Sequence, residues 1–383
     1  MKKITTYLGI ILVALNMRMP IIALPQIMPQ IQAATGLSKE FSGLLTSIPL
    51  IMFSLSSPLF TKLDQKIATS KIILLSFIIL SIGSLMRMTL QPTLLLLGTV
   101  LIGLGIDGGN VLLPAVIKAK LPDQILLGVS LYTTAMILTS SLGTAFLARL
   151  ASKFSLVVTM KGLFIFSLLS ILGSIFLREK TVKKAEGSIK MSLLLKNKLV
   201  WLISLFFGLQ ALLYYSLTTW YGEMLIQFDH FSVNEQATLM TILQLSCLFC
   251  ALLTPLFAGT KGGKRFLIIV IGLGFGLGVL GVLLHSNNLI LGIILALFVG
   301  IASGFSFNLA VIFFTQKTKT SAETVAVSGI AQTLGYLLAS LGPVAFGRLF
   351  MISKSWISVI LLCVLLALLI TWCGFQIEKA KNI

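Results

Sequence analysis

Two ionisable side chains, Arg18 and Asp107, lie deep inside segments of the chain that are otherwise almost wholly apolar. An arginine at the centre of a hydrocarbon layer costs about 2.5 to 3.5 kcal/mol on insertion scales, so it needs a carboxylate, backbone carbonyls or an anionic solute beside it. A carboxylate at that depth can pair with an arginine, or it can take up and release a proton. We expect Arg18 to bind the negative or electron-rich end of a solute and Asp107 to carry a proton. A permanent ion pair between the two is the structural alternative.

Asp107 is part of a set of residues at helical spacing, and further polar side chains form similar stripes elsewhere in the chain. Gly103, Asp107, Asn110 and Pro114 fall at positions i, i+4, i+7 and i+11, which places them on one face of a helix that should line a cavity. Amides and phenols on similar stripes can hydrogen-bond a small polar solute without adding charge. The predicted substrate-binding residues are Asn16, Arg18, Asn110, Gln210, Tyr214, Asn308 and Gln332. Each of these side chains can instead join two helices, with only a structural role.

Long apolar helices must position these residues. Hydrophobic residues make up 57% of the 383 residues and charged residues only 10%, which leaves too little polar sequence to coat a soluble protein of this size. Most apolar runs are long enough to cross a hydrocarbon layer of roughly 30 Å as a helix, whereas the strands of a β-barrel would be shorter and alternating. We predict twelve spans, near residues 4–27, 40–60, 71–90, 93–116, 126–149, 157–177, 199–222, 235–258, 265–285, 288–314, 324–348 and 355–375.

The formal net charge of +18 reflects membrane topology and not a nucleic-acid partner. If the N-terminus is cytoplasmic, 21 of the 29 lysine and arginine residues fall on the cytoplasmic side, as the positive-inside rule requires. We therefore predict a multi-pass protein of a bacterial plasma membrane with both termini in the cytoplasm. The first apolar run is too long for a signal peptide, so we expect it to remain as the first span. Cys247 and Cys250 form a C-x-x-C pattern in mid-span; we expect them to pack as small apolar residues and predict no metal and no cofactor.

Short phrases recur about 198 residues apart along the chain. Pro-Leu-Phe at 58–60 returns at 255–257, and Ser-Leu-Gly at 141–143 returns at 340–342. Parallel membrane halves explain such a repeat. We predict an N-terminal six-helix bundle (1–177), a cytoplasmic basic linker (178–198) and a C-terminal six-helix bundle (199–383). The end of the linker either forms a short helix on the anionic inner leaflet or is a disordered basic segment.

This organisation resembles the major facilitator superfamily of transporters. More specific similarity lies in four phrases, ALNMRMP at 14–20, GNVLLP at 109–114, FFGLQ at 206–210 and SGIAQTLGYLLASLGP at 328–343. Together they are similar to the branch that contains cyanate and nitroimidazole permeases. The resemblance implies twelve helices in two pseudo-symmetric bundles, with spans 1, 4, 7 and 10 lining a central cavity. Asp107 and Asn308 depart from the pattern of that branch, where a small or apolar residue and a proline are expected, which leaves the substrate open.

The chain has no nucleotide-binding glycine loop and no H-E-x-x-H motif, so neither ATP-driven transport by this chain alone nor an enzyme is indicated. We predict a secondary active transporter that moves a small anionic or polar solute by alternating access; cyanate-like anions are the first expectation by resemblance. Two alternatives stay open, a proton-coupled exporter of nitroimidazole-like or other drug compounds, and a membrane sensor with the same fold that does not transport. The expected partners are a small-molecule substrate and the lipid bilayer, without nucleic acid, and we expect the protein to function as a monomer.

Overall fold

The computed structural model describes residues 2–37, 39–178 and 191–383, and this part of the chain is helical, with short connections. The helices of the described residues are α1 (Lys2–Leu15), α2 (Met19–Gln26), α3 (Met28–Thr35), α4 (Lys39–Asp64), α5 (Thr69–Arg87), α6 (Pro92–Lys120), α7 (Ile125–Phe154), α8 (Leu156–Phe176), α9 (Met191–Lys196), α10 (Lys198–Asp229), α11 (Val233–Ala258), α12 (Gly263–Leu280), α13 (Leu289–Gln316), α14 (Ser321–Ser353) and α15 (Trp356–Lys379). The predicted all-α class is confirmed, and each predicted span falls on described helices.

These helices have the length and surface of membrane spans. Ten helical segments among the described residues are long and apolar enough to cross a membrane, and α11 gives an eleventh if its two parts, bent by 44°, form one span. The predicted span near 40–60 lies in α4. On α15, Leu361, Leu365 and Leu368 are each more than half exposed at spacing i, i+4, i+7, a stripe of large apolar side chains that suits lipid and not water. The chain is therefore a multi-pass membrane protein.

The first predicted span, residues 4–27, is not one continuous helix. It ends after Leu15 and resumes as α2 at Met19. Pro20 has no amide hydrogen, and its ring conflicts with the carbonyl of Asn16 one turn earlier. The amides of Asn16 and Met17 instead bond to carbonyls only three residues back, both at 3.1 Å, as in a tighter 3₁₀ turn. The predicted first span is present, since Lys3–Ile22 is long and apolar enough to cross a membrane, but its helix is interrupted between Leu15 and Met19.

Helices α5 and α6 approach each other closely. A β-carbon on Gly105 would lie 2.4 Å from the carbonyl oxygen of Ser76, and one on Gly83 would lie 2.6 Å from the carbonyl oxygen of Gly98. No side chain fits there, so glycine permits the packing. Because the Gly105 side of α6 faces α5, the rotation of α6 is fixed, and Asp107 is turned towards another helix.

Contacts divide the described chain into two compact units. Unit 1 comprises Met1–Met191 with Thr318–Thr333, and unit 2 comprises Ser192–Lys317 with Leu334–Ile383. The apolar core of unit 1 includes Leu24, Ile27, Ile31, Leu95, Leu147 and Met160. In unit 2, the rings of Phe206 and Phe313 pack edge to face with centroids 5.3 Å apart. Much of the predicted linker, residues 179–190, lies outside the described residues; its end contains α9. The predicted domain boundaries stay a prediction.

Candidate functional site

Asp107 lies on the face of α6 that packs against α4, and its side chain is fully buried. Its Oδ2 is 2.6 Å from Ser56 Oγ, and Ser57 Oγ is 2.9 Å from Oδ1 and 3.0 Å from Oδ2. The same hydroxyls lie 2.7 Å from the backbone carbonyl oxygens of Met52 and Phe53, one turn earlier on α4. The carboxyl group is thus held by hydroxyls alone among the described residues.

A count of hydrogens indicates the protonation state that this arrangement favours. Each serine hydroxyl has one hydrogen but lies within hydrogen-bond distance of two acceptors. If Asp107 is neutral, its own O–H donates to Ser56 Oγ and Ser56 donates to the Met52 carbonyl, so that of the four short contacts only one, at Ser57, has no hydrogen. If Asp107 is ionised, both hydroxyls must donate to it, and the carbonyls of Met52 and Phe53 face hydroxyl oxygens at 2.7 Å with no hydrogen between them. The geometry therefore fits a neutral carboxyl group.

The structure does not bring Arg18 and Asp107 together. The partners of Asp107 are Ser56 and Ser57, and Arg18, 6% exposed, lies at the N-cap position of α2. The positive end of the α2 dipole therefore adds to the arginine charge at the break in the first span. The two residues therefore do not form the ion pair that was the structural alternative predicted from the sequence.

The face of α6 that carries Asp107 packs against α4. A β-carbon on Gly103 would lie 2.9 Å from Met52 Cβ, so Gly103 and Asp107 share a neighbour, as their spacing predicts. The face was expected to line a cavity, but at these two positions it is filled by α4. Further along α6, Asn110 is buried, and Tyr132 Oη donates to its Oδ1 at 3.5 Å, a long contact.

The break in the first span borders a small cavity inside unit 1. Asn16 is fully buried there; its Nδ2 donates to the Phe166 carbonyl at 3.1 Å, while its Oδ1 has no hydrogen-bond partner in the described part of the chain. Asn16 and Arg87 both line this cavity of about 20 Å³. That volume admits about one water molecule, so the cavity is too small for the substrates predicted from the sequence.

Arg87, near the end of the predicted span 71–90, is a buried charge. Only 4% of it is exposed. Its Nε donates to Thr99 Oγ1 at 3.0 Å and its Nη1 to the Pro20 carbonyl at 2.6 Å, while Nη2 has no partner among the described residues. Arg87 therefore ties α5 to α6 and to the start of α2, beside the break that carries Arg18.

Gln332 also belongs to unit 1, because the first part of α14 is packed there. It is 2% exposed, and its Oε1 has no hydrogen-bond partner among the described residues. A buried amide oxygen without a donor is costly, so this group needs a partner that the described chain does not supply.

The other predicted substrate-binding residues lie in unit 2, on α10 and α13, and all are buried. Tyr214 Oη contacts the side-chain amide of Gln244 at 3.4 Å. Asn308 Nδ2 donates to the Gly304 carbonyl of its own helix at 2.9 Å. Gln210 is 2% exposed. Tyr214 and Gln244 thus form a polar pair within unit 2, whereas Asn308 is tied to its own backbone.

Comparison with known proteins places this architecture among transporters. A profile of the Major Facilitator Superfamily matches residues 6–343. The chain is 30% identical to an uncharacterised transporter, YycB of Bacillus subtilis, over 98% of its length and 96% of the relative. It is 28% identical to a 2-nitroimidazole transporter of Escherichia coli over 100% of its length and 97% of the relative. It is 23% identical to the cyanate transport protein CynX of Escherichia coli over 91% of both.

A solved structure agrees with the fold. The transporter FucP, in an outward conformation, superposes with a TM-score of 0.78 at 13% sequence identity, covering 98% of this chain and 100% of FucP. At that identity the likeness concerns the fold alone. The profile matches most of the chain, and one relative is 30% identical across 98% of it. This chain therefore belongs to the Major Facilitator Superfamily and is a transporter, not an enzyme.

Proposed function

We propose that the protein is a secondary active transporter of the plasma membrane that moves a small anionic or polar solute, cyanate-like in size and charge, by alternating access. Arg18 binds the negative or electron-rich end of the solute. In unit 1, the buried amides of Asn16, Asn110 and Gln332 hydrogen-bond its remaining polar atoms. Gln210, Tyr214 and Asn308 are the predicted substrate-binding residues of unit 2. The protein works as a monomer in the bilayer, with both termini in the cytoplasm.

The observation that carries this proposal is the break in the first span at Asn16 to Arg18. Non-helical backbone at membrane depth is tolerated where protein or a water-filled cavity surrounds it, and in transporters such breaks direct the positive end of a half-helix towards anionic groups. Here Arg18 stands at the N-terminal end of α2, so a full charge and a helix dipole act at one place. A small anion is better stabilised there than a sugar or a peptide.

Asp107 supplies the coupling in this proposal. A fully buried carboxyl group whose partners are two hydroxyls can bind and release a proton without breaking an ion pair. Asp107→Asn should therefore abolish solute accumulation driven by a pH gradient but retain exchange of labelled for unlabelled solute, because exchange requires no net proton release. Unchanged pH-driven uptake in this variant would remove Asp107 from the coupling step.

A second candidate is proton-coupled export of nitroimidazole-like compounds. It is favoured by the relative named as a 2-nitroimidazole transporter, which is 28% identical over the whole chain, against 23% over 91% for the cyanate protein. A nitro group offers Arg18 two electron-rich oxygens, and the ring nitrogens suit the buried amides.

Counterflow in proteoliposomes separates the candidates. Purified protein is reconstituted with unlabelled solute inside, and the entry of labelled cyanate or labelled 2-nitroimidazole is followed. We expect saturable counterflow of cyanate that falls at least about tenfold in Arg18→Lys, which keeps the charge but loses the planar fork, and stays unchanged in the exposed control Arg265→Lys. Counterflow of the nitroimidazole alone would favour the second candidate, and no flux of any tested solute would favour a sensor.

A further inference from the structure

The first part of α14 is docked on the helices of unit 1. The docked segment, residues 318–333, belongs to unit 1 by its contacts, although it lies late in the chain. Its hydrogen bonds run from Ser328 Oγ to the Val111 carbonyl at 2.9 Å, from Ser54 Oγ to the Thr333 carbonyl at 2.9 Å, and from Lys118 Nζ to the carbonyl and hydroxyl of Thr318. These bonds join the docked segment to α4 and α6, the two helices that enclose Asp107.

The docked segment approaches α4 closely at Gly329. A β-carbon there would lie 2.0 Å from Thr61 Oγ1 and 3.3 Å from Thr61 Cβ. Turning the Thr61 hydroxyl away would break a hydrogen bond, because this hydroxyl donates to the Ser57 carbonyl at 2.9 Å. The docked segment therefore rests on a threonine whose hydroxyl is fixed to the backbone of α4 at Ser57.

Ser57 is also a partner of Asp107, so one residue connects the proton site to the docked segment. Loss of the proton from Asp107 requires the hydroxyls of both Ser56 and Ser57 to donate to the carboxylate. Their oxygens are then left 2.7 Å from the carbonyls of Met52 and Phe53 without a hydrogen. This repulsion is relieved if the turn of α4 that contains Ser56 and Ser57 shifts, and Thr61, bonded to the Ser57 carbonyl, moves with it.

We propose that a proton on Asp107 holds the docked segment on α4, that loss of the proton releases the segment, and that Ser56 and Ser57 are the positioning residues that transmit the change. The inference deepens the proposed function and rests on its assignment of Asp107 to coupling. The described elements packed against α6 present only neutral groups near Asp107: Ser56 and Ser57 from α4, Ser76 beside Gly108 from α5, and Met17 beside Gly109 from the break between α1 and α2. Lys118 and Glu323 are ionisable groups at the far end of the docked segment.

The test measures burial of the docked segment in the absence of any solute. The four native cysteines, all buried, are replaced by alanine in the full chain, and Val325→Cys, at a position 3% exposed, reports release through its rate of alkylation by N-ethylmaleimide. Ala322→Cys, exposed on the same segment, is the matched control for the thiol chemistry. Both reporters are measured in the Asp107 and Asp107→Asn backgrounds from about pH 5.5 to about pH 9, so that the contribution of every other ionisable group is common to both.

With Asp107 present, labelling of the Val325→Cys reporter relative to the Ala322→Cys control should rise about tenfold or more as pH increases, while in Asp107→Asn it should stay low and flat. Substituting both Ser56 and Ser57 by alanine should remove the pH dependence, since the transmitting hydroxyls are gone. The same pH dependence in the Asp107 and Asp107→Asn backgrounds would overturn the proposal, as would its persistence in the double serine variant.

A second pair of variants tests the contact between Gly329 and Thr61. Gly329→Ala should raise labelling of the Val325→Cys reporter at every pH, and Thr61→Ala combined with Gly329→Ala should restore protection, because the two β-carbons can then meet at about the 3.3 Å seen here. No effect of Gly329→Ala, or no rescue in the double variant, would overturn the proposal. The labelling assay uses no solute. A protein that shows the expected labelling pattern but no counterflow of any tested solute would therefore disprove the proposed function and leave this inference standing.

Discussion

A double-mutant cycle on Arg18 and Asp107 distinguishes a substrate-binding arginine from half of a structural ion pair. The variants are Arg18→Gln, Asp107→Asn and their combination. Breaking a buried ion pair by removing one partner costs about 3 to 5 kcal/mol, whereas removing both partners is close to neutral. An ion pair therefore predicts that the double variant is more stable than Arg18→Gln by several kcal/mol.

The structure predicts a different result for this cycle. The carboxyl group of Asp107 is hydrogen-bonded to Ser56 and Ser57. An asparagine at this position supplies one oxygen to accept and two N–H groups, which can donate to the two serine hydroxyls in place of the single O–H of the neutral acid. Asp107→Asn should then cost less than about 1 kcal/mol, in the range of one exchanged hydrogen bond. The effects of the two changes on stability should add within about 0.5 kcal/mol, as for sites that share no partner.

Unfolding in mixed detergent and SDS micelles, monitored by tryptophan fluorescence, gives the three free-energy differences, and counterflow gives the effect on transport. We expect Arg18→Gln to lose counterflow whether or not Asp107 is changed, because the solute loses a charge-assisted contact worth about 1.5 to 3 kcal/mol. A double variant that regains both the stability and the transport lost in Arg18→Gln would refute the substrate-binding role of Arg18.

The remaining predictions concern topology and packing. Single cysteines at three positions predicted to be cytoplasmic, Lys3, Lys190 and Lys381, should resist an impermeant thiol reagent in intact cells. Rapid labelling at Lys190 would invert the predicted topology. Gly105→Ala places a β-carbon 2.4 Å from a backbone oxygen of α5 and should lower the free energy of unfolding by about 1 to 3 kcal/mol through overpacking. The control Gly162→Ala, with nothing within 4 Å, should be neutral or stabilising in the same SDS titration. Equal losses of stability in the two variants would contradict the close α5–α6 contact. Arg87→Lys should lower stability by about 1.5 to 3 kcal/mol by losing at least one of two charge-assisted hydrogen bonds, and an unchanged midpoint would show that these bonds contribute little.

The helices could be predicted from the sequence because the thickness of the bilayer sets the length of an apolar run. The break in the first span could not be predicted from Pro20 alone. Pro58, Pro114 and Pro343 lie inside continuous helices of this structure, since neighbouring groups in a membrane bundle can satisfy the backbone that a proline frees. Whether a proline interrupts a span is decided by the tertiary surroundings, which the sequence does not display.

The candidate site, too, could be predicted from the sequence only in part. The depth of Asp107 follows from its position in an apolar run, but its partners depend on how α6 is rotated against its neighbours. That rotation is set by close packing at Gly105 against Ser76, a contact between helices that residue spacing within one helix cannot reveal. The adjacent serines 56 and 57 in an apolar span were a usable signal. Arg87, near the end of its span, was indistinguishable from an arginine that reaches the membrane surface.

The polar groups at the break constrain how the chain enters the membrane during synthesis. Asn16 Nδ2 donates to the carbonyl of Phe166, which is made 150 residues later, and the Pro20 carbonyl accepts from Arg87, 67 residues later. Until those helices arrive, the span carrying Arg18 holds a central charge that costs about 2.5 to 3.5 kcal/mol to insert alone. The first span is therefore expected to stay beside the insertion machinery until its bundle is nearly complete, and truncation before α8 should leave it poorly integrated.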